Sequence, residues 1–221
     1  MFKKMVFKSL KTIDDYKNNG YKKESIKRDK VKVCFIDDKG FGIDSFRTTG
    51  YINTDFKLDF VNPNDVQAYD IVACDIDGIG GSLDQKRQGL AVAETIATAY
   101  PEKIVLIYSS NNPYDYSEDY HSVGDGFFNK NISNNDIAKT LDNYSAVFFD
   151  EIAAWRKIEK QLRKSLIANK TIAYIEDMYV RSLEDKINLF RDSKKKKDLK
   201  LVLEIGKYVI SIASVVARFI A

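Results

Sequence analysis

The run DIVACD at 70–75 is a short apolar stretch that ends on an acid, Asp75. Four consecutive apolar residues with no polar alternation read as a strand buried on both faces, the kind found in parallel sheets. Similar runs lie on either side: VKVCFID (31–37) with Asp38 after it, KLDFV (57–61), KIVLIYS (103–109) and GFFN (126–129) with Lys130 after it. The segment 84–100, DQKRQGLAVAETIATAY, carries Leu90, Ala93, Ile96 and Ala97 at helical spacing before Pro101 stops it. Short apolar runs alternating with crossover segments predict an α/β fold built on a five-stranded parallel, doubly wound sheet. In such sheets ligands bind outside the carboxyl ends of the strands. Asp37, Asp38, Asp75, Ser109 and Lys130 are therefore expected to converge, although they span 93 residues.

The chain has 221 residues, 44% hydrophobic and 30% charged, with three prolines, which describes a globular protein and argues against global disorder. Its net charge of +3 is unevenly spread. Residues 1–30 hold ten basic and four acidic side chains, residues 31–150 nine and nineteen, and residues 151–221 sixteen and nine. The acidic middle suits a divalent cation, and the basic flanks are read chiefly as solvated surface. Cys34 and Cys74 fall inside apolar runs and are expected to be buried thiols of a reducing, cytoplasmic compartment, not a disulfide. The N-terminal MFKKMVFKSLKTIDDYK lacks the continuous apolar core of a secretory signal.

Three parts are expected: a basic arm or short helix over 1–30, the α/β domain over 31–150, and a helical extension over 151–221. Apolar positions Ile137, Leu141, Tyr144, Phe148, Ile152, Trp155, Ile158 and Leu162 recur at three- or four-residue steps, which predicts one long helix. Ile172, Ile175, Tyr179, Leu183 and Ile187 predict another, and DSKKKKD (192–198) reads as a linker. In the tail 199–221, Glu204, Lys207, Ser211, Ser214 and Arg218 form one polar stripe on a broad apolar helix. That pattern favours packing on other helices or on a partner, with contact to a membrane surface as the second reading and insertion as the third. Self-association or protein docking is expected through 133–221. The lysines at 194–197 have no accompanying aromatic platform or groove-reading motif, so nucleic-acid binding is not expected. His121 is the only histidine, which argues against a zinc site or a Ser/His triad. Trp155 reads as a packing anchor.

The order of these signals over 31–150 resembles the receiver domain of two-component response regulators, the chemotaxis-type, flavodoxin-like fold. Asp37 and Asp38 match that family's acidic pair, Asp75 its phosphoacceptor, Ser109 its hydroxyl residue, Lys130 its lysine, and Phe127 its aromatic switch position. GLAVAETIATAYPEKIVLIYSS is also similar to the family's third helix and fourth strand. The resemblance implies Mg²⁺ held by Asp37, Asp38, Asp75 and the backbone carbonyl of Asp77, an oxygen-rich set of the kind magnesium favours. It further implies a histidine kinase or another phosphodonor as partner, slow self-dephosphorylation, and a switch in which Ser109 moves and Phe127 rotates inward. Two departures are Asn131, where the family has proline, and the glycine-rich GIGGS (78–82) beside the acceptor.

Two other readings use the same residues. CDIDGIG resembles the D-x-D-G motif of haloacid-dehalogenase-like phosphatases, which would make Asp75 a nucleophile and Asp77 a general acid, with Ser109, Lys130 and Asp150 with Glu151 supplying later motifs. Ile79 stands where that motif has threonine, and the acidic pair at 37–38 is left without a role. The third reading is a pseudo-receiver, an interaction module that is never phosphorylated.

Overall fold

The structure, a computed structural model, describes residues 9–22, 27–111, 122–186, 189, 208–213 and 215–216. In chain order its elements are α1 (Ile13–Asn18), β1 (Val33–Ile36), α2 (Ile43–Arg47), β2 (Thr54–Lys57), β3 (Ile71–Asp75), α3 (Gly89–Ala99), β4 (Ile104–Ser109), β5 (Gly126–Asn129), α4 (Asn134–Phe148), α5 (Glu151–Lys164) and α6 (Asn169–Glu184). They belong to two compact units, one made of residues 24–150 and the other of residues 1–23 together with 151–221.

In the 24–150 unit the five strands pair in parallel in the order β2-β1-β3-β4-β5. The chain moves outward from β1 to β2 and then crosses back to β3. The order therefore reverses between β1 and β3, the place where such sheets bind ligands. Every residue of β1, β3 and β4 is buried, as expected of strands covered on both faces. Val33, Phe35, Ile71, Ala73, Leu106 and Phe128 pack on one face with Ile137, Leu141 and Phe148 of α4. Cys34, Ile36, Val72, Cys74, Val105 and Ile107 pack on the other with Leu90, Val92 and Ile96 of α3. Both cysteines are free and buried, and loss of hydration pushes the Cys34 thiol up to about 12.

Two segments differ from the sequence reading. The expected strand at 57–61 lies earlier, because Val33 to Ile36 register with Thr54 to Lys57. Beyond Lys57 only Phe60 turns inward, while Leu58 and Val61 are 64% and 80% exposed. Asp59 there accepts N–H groups from Phe60 and Gly80 instead of continuing a ladder. The single long helix expected from Ile137 to Leu162 is two helices. Phe149 leaves helical geometry (φ −95°, ψ 21°) and packs against Phe148 with ring centroids 5.1 Å apart. Ser133 caps the start of α4 by accepting the Asp136 N–H.

The second unit has its own core, built by Ile152, Trp155, Ile158 and Leu162 of α5, Ile172, Ile175, Tyr179, Val180 and Leu183 of α6, Ile13 of α1, and Tyr208, Val209, Ile212, Val215 and Val216. Trp155 is fully buried and stacks on Tyr179 at 5.3 Å. The N-terminal segment is held to α6 by charge-assisted bonds: the Lys11 N–H donates to Asp177 (2.8 Å) and the Ile13 N–H to Glu176 (3.0 Å). A capping box between Thr12 and Asp15 starts α1. Residues 208–213 and 215–216 are helical. Ser211, expected on a polar stripe, is buried at 3%, whereas its neighbour Ile210 is 60% exposed, so the stripe does not mark the solvent face there. Glu204, Lys207, Ser214, Arg218, His121 and the lysines at 194–197 lie outside the described residues. Among the described residues no helix is long and apolar enough to cross a membrane.

Within the 24–150 unit, Arg28 makes a bidentate pair with Asp142 of α4 (2.8 and 2.6 Å), and Tyr51 donates to the same carboxylate (3.0 Å). The Arg28 hydrogen bond holds the Asp142 carboxyl below the usual carboxylate range, against the opposing effect of burial. A carboxyl whose folded pKa is depressed contributes stability that is complete above its unfolded pKa and is lost as pH falls through the folded value. Replacing Asp142 with Asn is expected to lower the unfolding free energy at neutral pH and to flatten its fall from about pH 5 to about pH 2. Urea denaturation across that range checks this; parallel curves for the two proteins would contradict it.

Candidate functional site

Successive strand residues point to opposite faces of the sheet. On β1 the face that holds Val33 and Phe35 next receives residue 37. On β3 it holds Ile71, Ala73 and Asp75, on β4 Ile104, Leu106 and Tyr108, and on β5 Gly126 and Phe128, followed by residue 130. The register sets Asp75 against Tyr108 and Tyr108 against Phe128. Pleat parity and register thus bring Asp37, Asp75, Tyr108 and Lys130 to one face at the carboxyl end of the sheet, beside the point where strand order reverses.

The Lys130 ammonium donates to Asp37 Oδ2 (2.9 Å) and to Asp75 Oδ2 (2.5 Å). Asp37 and Asp75 are each only 2% exposed. Asp37 Oδ2 also accepts the Tyr108 hydroxyl (3.0 Å), and its Oδ1 accepts the Lys39 N–H (2.9 Å). Asp75 Oδ1 accepts the Ile76 N–H at 2.8 Å. Oxygens of Asp37, Asp38 and Asp75 lie within 4.8 Å of one another, with Asp38 exposed at the mouth. Three carboxylates that close form an oxygen-only donor set suited to a hard divalent cation. The two buried acids differ. Burial raises the Asp75 carboxyl and outweighs Lys130, whereas at Asp37 burial is overcome by Lys130, the Lys39 N–H and Tyr108, so that group is lowered. At Lys130 burial is outweighed by hydrogen bonds to Asp75 and Asp37, which keep the ammonium charged.

The segment between β3 and α3 wraps back on the strand it leaves. The Gly89 N–H returns to the Ile76 carbonyl (2.9 Å), and the Gly78 N–H is held by the Gln88 side-chain carbonyl (2.7 Å). Asp77, exposed, lies between these two anchored positions. Gln88 adopts φ 42°, a conformation costly for a side chain with a Cβ, so the clamp is held under backbone strain. Gly78 (φ 87°) passes so close to Asp38 that a Cβ would fall 2.4 Å from its carboxyl carbon. The glycine therefore leaves room for the carboxylate at the mouth.

Of the residues singled out in the sequence, Asp37, Asp38, Asp75 and Lys130 gather in one cluster. Ser109 ends β4 on the opposite parity, is 2% exposed, and accepts the Asn111 N–H through its hydroxyl at 3.1 Å. Phe127 shares that opposite face, partly buried beside Val105 and Ile107. Tyr108 and Gln88 were not anticipated. Counting alternate residues along Ile104, Leu106 and Tyr108 would have placed Tyr108 on the acidic face, whereas nothing local in the sequence marks Gln88.

No protein-family model and no curated protein sequence matches the chain. Among solved structures it is similar to the Vibrio cholerae chemotaxis protein CheY4, at 15% identity and TM-score 0.41, over 51% of this chain and 97% of that one. It is also similar to a CheY-like response regulator receiver domain from Methanospirillum hungatei JF-1, at 14% identity and TM-score 0.40, over 52% and 92%. A third is the BeF3-activated DrrB receiver domain, at 14% identity and TM-score 0.41, over 52% and 97%. These neighbours are receiver domains spanning about half of this chain. The likeness concerns fold alone, and the fold itself rests on the strand order and parallel register described above.

Gly89 tests the tight junction between β3 and α3. A Cβ there would fall 1.7 Å from the Asp75 carbonyl oxygen, a backbone atom that moves only with the strand end. Gly89→Ala is expected to destabilise by about 2 kcal/mol or more. Gly81→Ala, with nothing within 4 Å of the added atom, should stay within about 0.5 kcal/mol of the parent. Equal urea midpoints for the two variants would refute the junction.

Proposed function

We propose that residues 24–150 act as a phosphoryl-accepting receiver with Asp75 as the acceptor. The observation that carries this reading is the shared engagement of Lys130 with Asp37 and Asp75, beside a third carboxylate and at the reversal of strand order. The Asp75 carboxylate attacks the phosphorus of an acyl-phosphate or phosphohistidine donor. The new O–P bond forms as the bond to the leaving group breaks, and that group departs with its electron pair. Both reactants are anionic, so the step depends on charge neutralisation. Asp37, Asp38 and Asp75, with the backbone carbonyl of Asp77, would hold Mg²⁺, which fits the all-oxygen donor set and the room that Gly78 leaves at Asp38. When bound, the ion neutralises phosphoryl oxygens. Lys130 turns from Asp37 toward a phosphoryl oxygen, and the Ser109 hydroxyl, which starts on the other face of β4, supplies a further hydrogen bond once the loop after β4 has moved. Water attack on the acyl phosphate later releases phosphate and restores Asp75.

In this reading Ser109 and Phe127 form the switch, and the output is protein contact by the helices after residue 133, with a partner or a second copy. The phosphatase alternative gains no support from the geometry. Asp77 is absent from the carboxylate cluster, whereas both acids of the pair after β1, idle in that alternative, belong to it.

Intact-mass spectrometry after incubation with acetyl phosphate and Mg²⁺ tests the proposal. One phosphoryl adduct is expected, absent in Asp75→Ala and in EDTA, with Lys130→Ala slowing its formation by about 100-fold. An adduct that persists in Asp75→Ala would refute the assignment. No adduct and no phosphatase turnover would favour an interaction module that works unphosphorylated.

A further inference from the structure

We propose that Tyr108 is a positioning residue for the acidic site: its hydroxyl orients Asp37 and keeps that carboxylate satisfied when Lys130 leaves it. The inference rests on the receiver reading for the departure of Lys130, but the positioning of Asp37 stands on geometry alone. Asp37 Oδ2 has two donors, Lys130 at 2.9 Å and the Tyr108 hydroxyl at 3.0 Å. The Lys39 N–H occupies Oδ1. At 2% exposure Asp37 has little access to water that could replace a lost donor, and a buried carboxylate left short of hydrogen bonds is costly. Lys130 already divides its ammonium between two carboxylates, and in the proposed step it shifts toward the phosphoryl group on Asp75 and away from Asp37. The Tyr108 hydroxyl remains on Asp37 when it does.

The aim of that hydroxyl is set by packing. Tyr108 is fully buried, stacked on Phe128 at 5.3 Å with the rings 11° apart, and set edge-on to Phe35 at 5.7 Å. Phenylalanine would make the same ring contacts, so packing does not account for the hydroxyl. Groups that hydrogen-bond a carboxylate ligand from behind fix its orientation, and their loss typically lowers metal affinity about 10- to 100-fold.

The test is a double-mutant cycle of Tyr108→Phe and Asp37→Asn on the full chain, with the Mg²⁺ Kd read by calorimetry and folding checked by circular dichroism. Tyr108→Phe is expected to raise the Kd by about tenfold or more, and to change it less than about twofold when Asp37 is already Asn. An unchanged Kd in the single variant, or the same fold-change in both backgrounds, would overturn the proposal. A second measurement needs no variant: in protein labelled with ¹³C on the tyrosine rings, the buried Tyr108 hydroxyl proton should shift with Mg²⁺ along the calorimetric isotherm, and a proton that does not move would overturn it. The acetyl phosphate adduct is followed in parallel. An adduct on Asp75 with no Tyr108 effect removes only this inference. Coupling of Tyr108 to Asp37 without an adduct removes the receiver chemistry and leaves the positioning role. A parent chain that binds no Mg²⁺ at millimolar concentration removes both.

Discussion

The Lys130 ammonium between Asp37 and Asp75 is the constraint around which the 24–150 unit is arranged. Two carboxylates almost without solvent repel each other and lose hydration, so neither would stay ionised there without a cation. The lysine that supplies the cation follows the edge strand β5, while Asp37 follows β1 and Asp75 ends β3, both interior strands. The contact therefore forms only if β1, β3, β4 and β5 end level with one another, which the parallel register ensures. Ligands for Asp37 other than Lys130, the Lys39 N–H and the Tyr108 hydroxyl, are the reason its charge is better supported than that of Asp75. The less supported acid is the one assigned as nucleophile. A carboxylate short of stabilising partners has more to gain from a new bond and from a bound cation.

Much of this was readable in the chain because the residues involved stand at the ends of apolar runs. VCFI before Asp37, IVACD with Asp75 and GFFN before Lys130 announce both the strand and the position where its last side chain emerges. The parallel sheet follows from the alternation of strands and crossovers, its strand order was implied only by the resemblance to receiver domains, and the reversal between β1 and β3 fixes where the ends meet. The misplaced strand at 57–61 shows where such reading fails. An edge strand is buried less, so its sequence is not a clean apolar run: Thr54, Asp55, Phe56 and Lys57 make the ladder, while the more apolar Leu58 and Val61 face outward. The break at Phe149 was hidden for a different reason. Helical spacing continues in phase from Phe148 to Ile152, and the turn between is made by an aromatic residue and an acid, neither a customary helix stop. Gln88 is harder still, since its positive φ and its bond to Gly78 depend on how the β3–α3 segment closes, and that is a tertiary property.

The helical unit illustrates how charge counts mislead when read by segment. Residues 1–30 and 151–221 are both basic, yet the first segment docks through backbone N–H groups of Lys11 and Ile13 onto Glu176 and Asp177. Asp177 is also held by Arg181 at 2.9 Å. The N-terminal part of the first stretch thus joins the second through an acidic pair on α6 that receives its backbone donors and through Ile13, which enters the same apolar core. Ser211 makes the complementary point in the tail. A small hydroxyl at a helical position is tolerated inside a core, where a charged residue would not be, so a stripe defined by polar type mixes residues of unlike cost.

Tyr108 and Ser109 are adjacent on β4 and point to opposite faces, so one strand end serves two environments. On the Tyr108 side the site is backed by Phe35, Phe46, Tyr51 and Phe128, a dense aromatic layer in which displacing one ring disturbs several others. On the Ser109 side Phe127 of β5 is only partly buried, packed against the cluster that holds Val105 and Ile107. A charge change on Asp75 would therefore be absorbed unequally. In the proposed switch the face that holds the carboxylates keeps them placed for chemistry, and the face that carries Ser109 and Phe127 is the one that would move. A two-state element is biased only by contacts that differ between its states, and in the proposed switch the phosphoryl group makes that difference through the Ser109 hydroxyl. The proposed switch thus asks one strand end to hold the site on its Tyr108 side and to report on it on its Ser109 side.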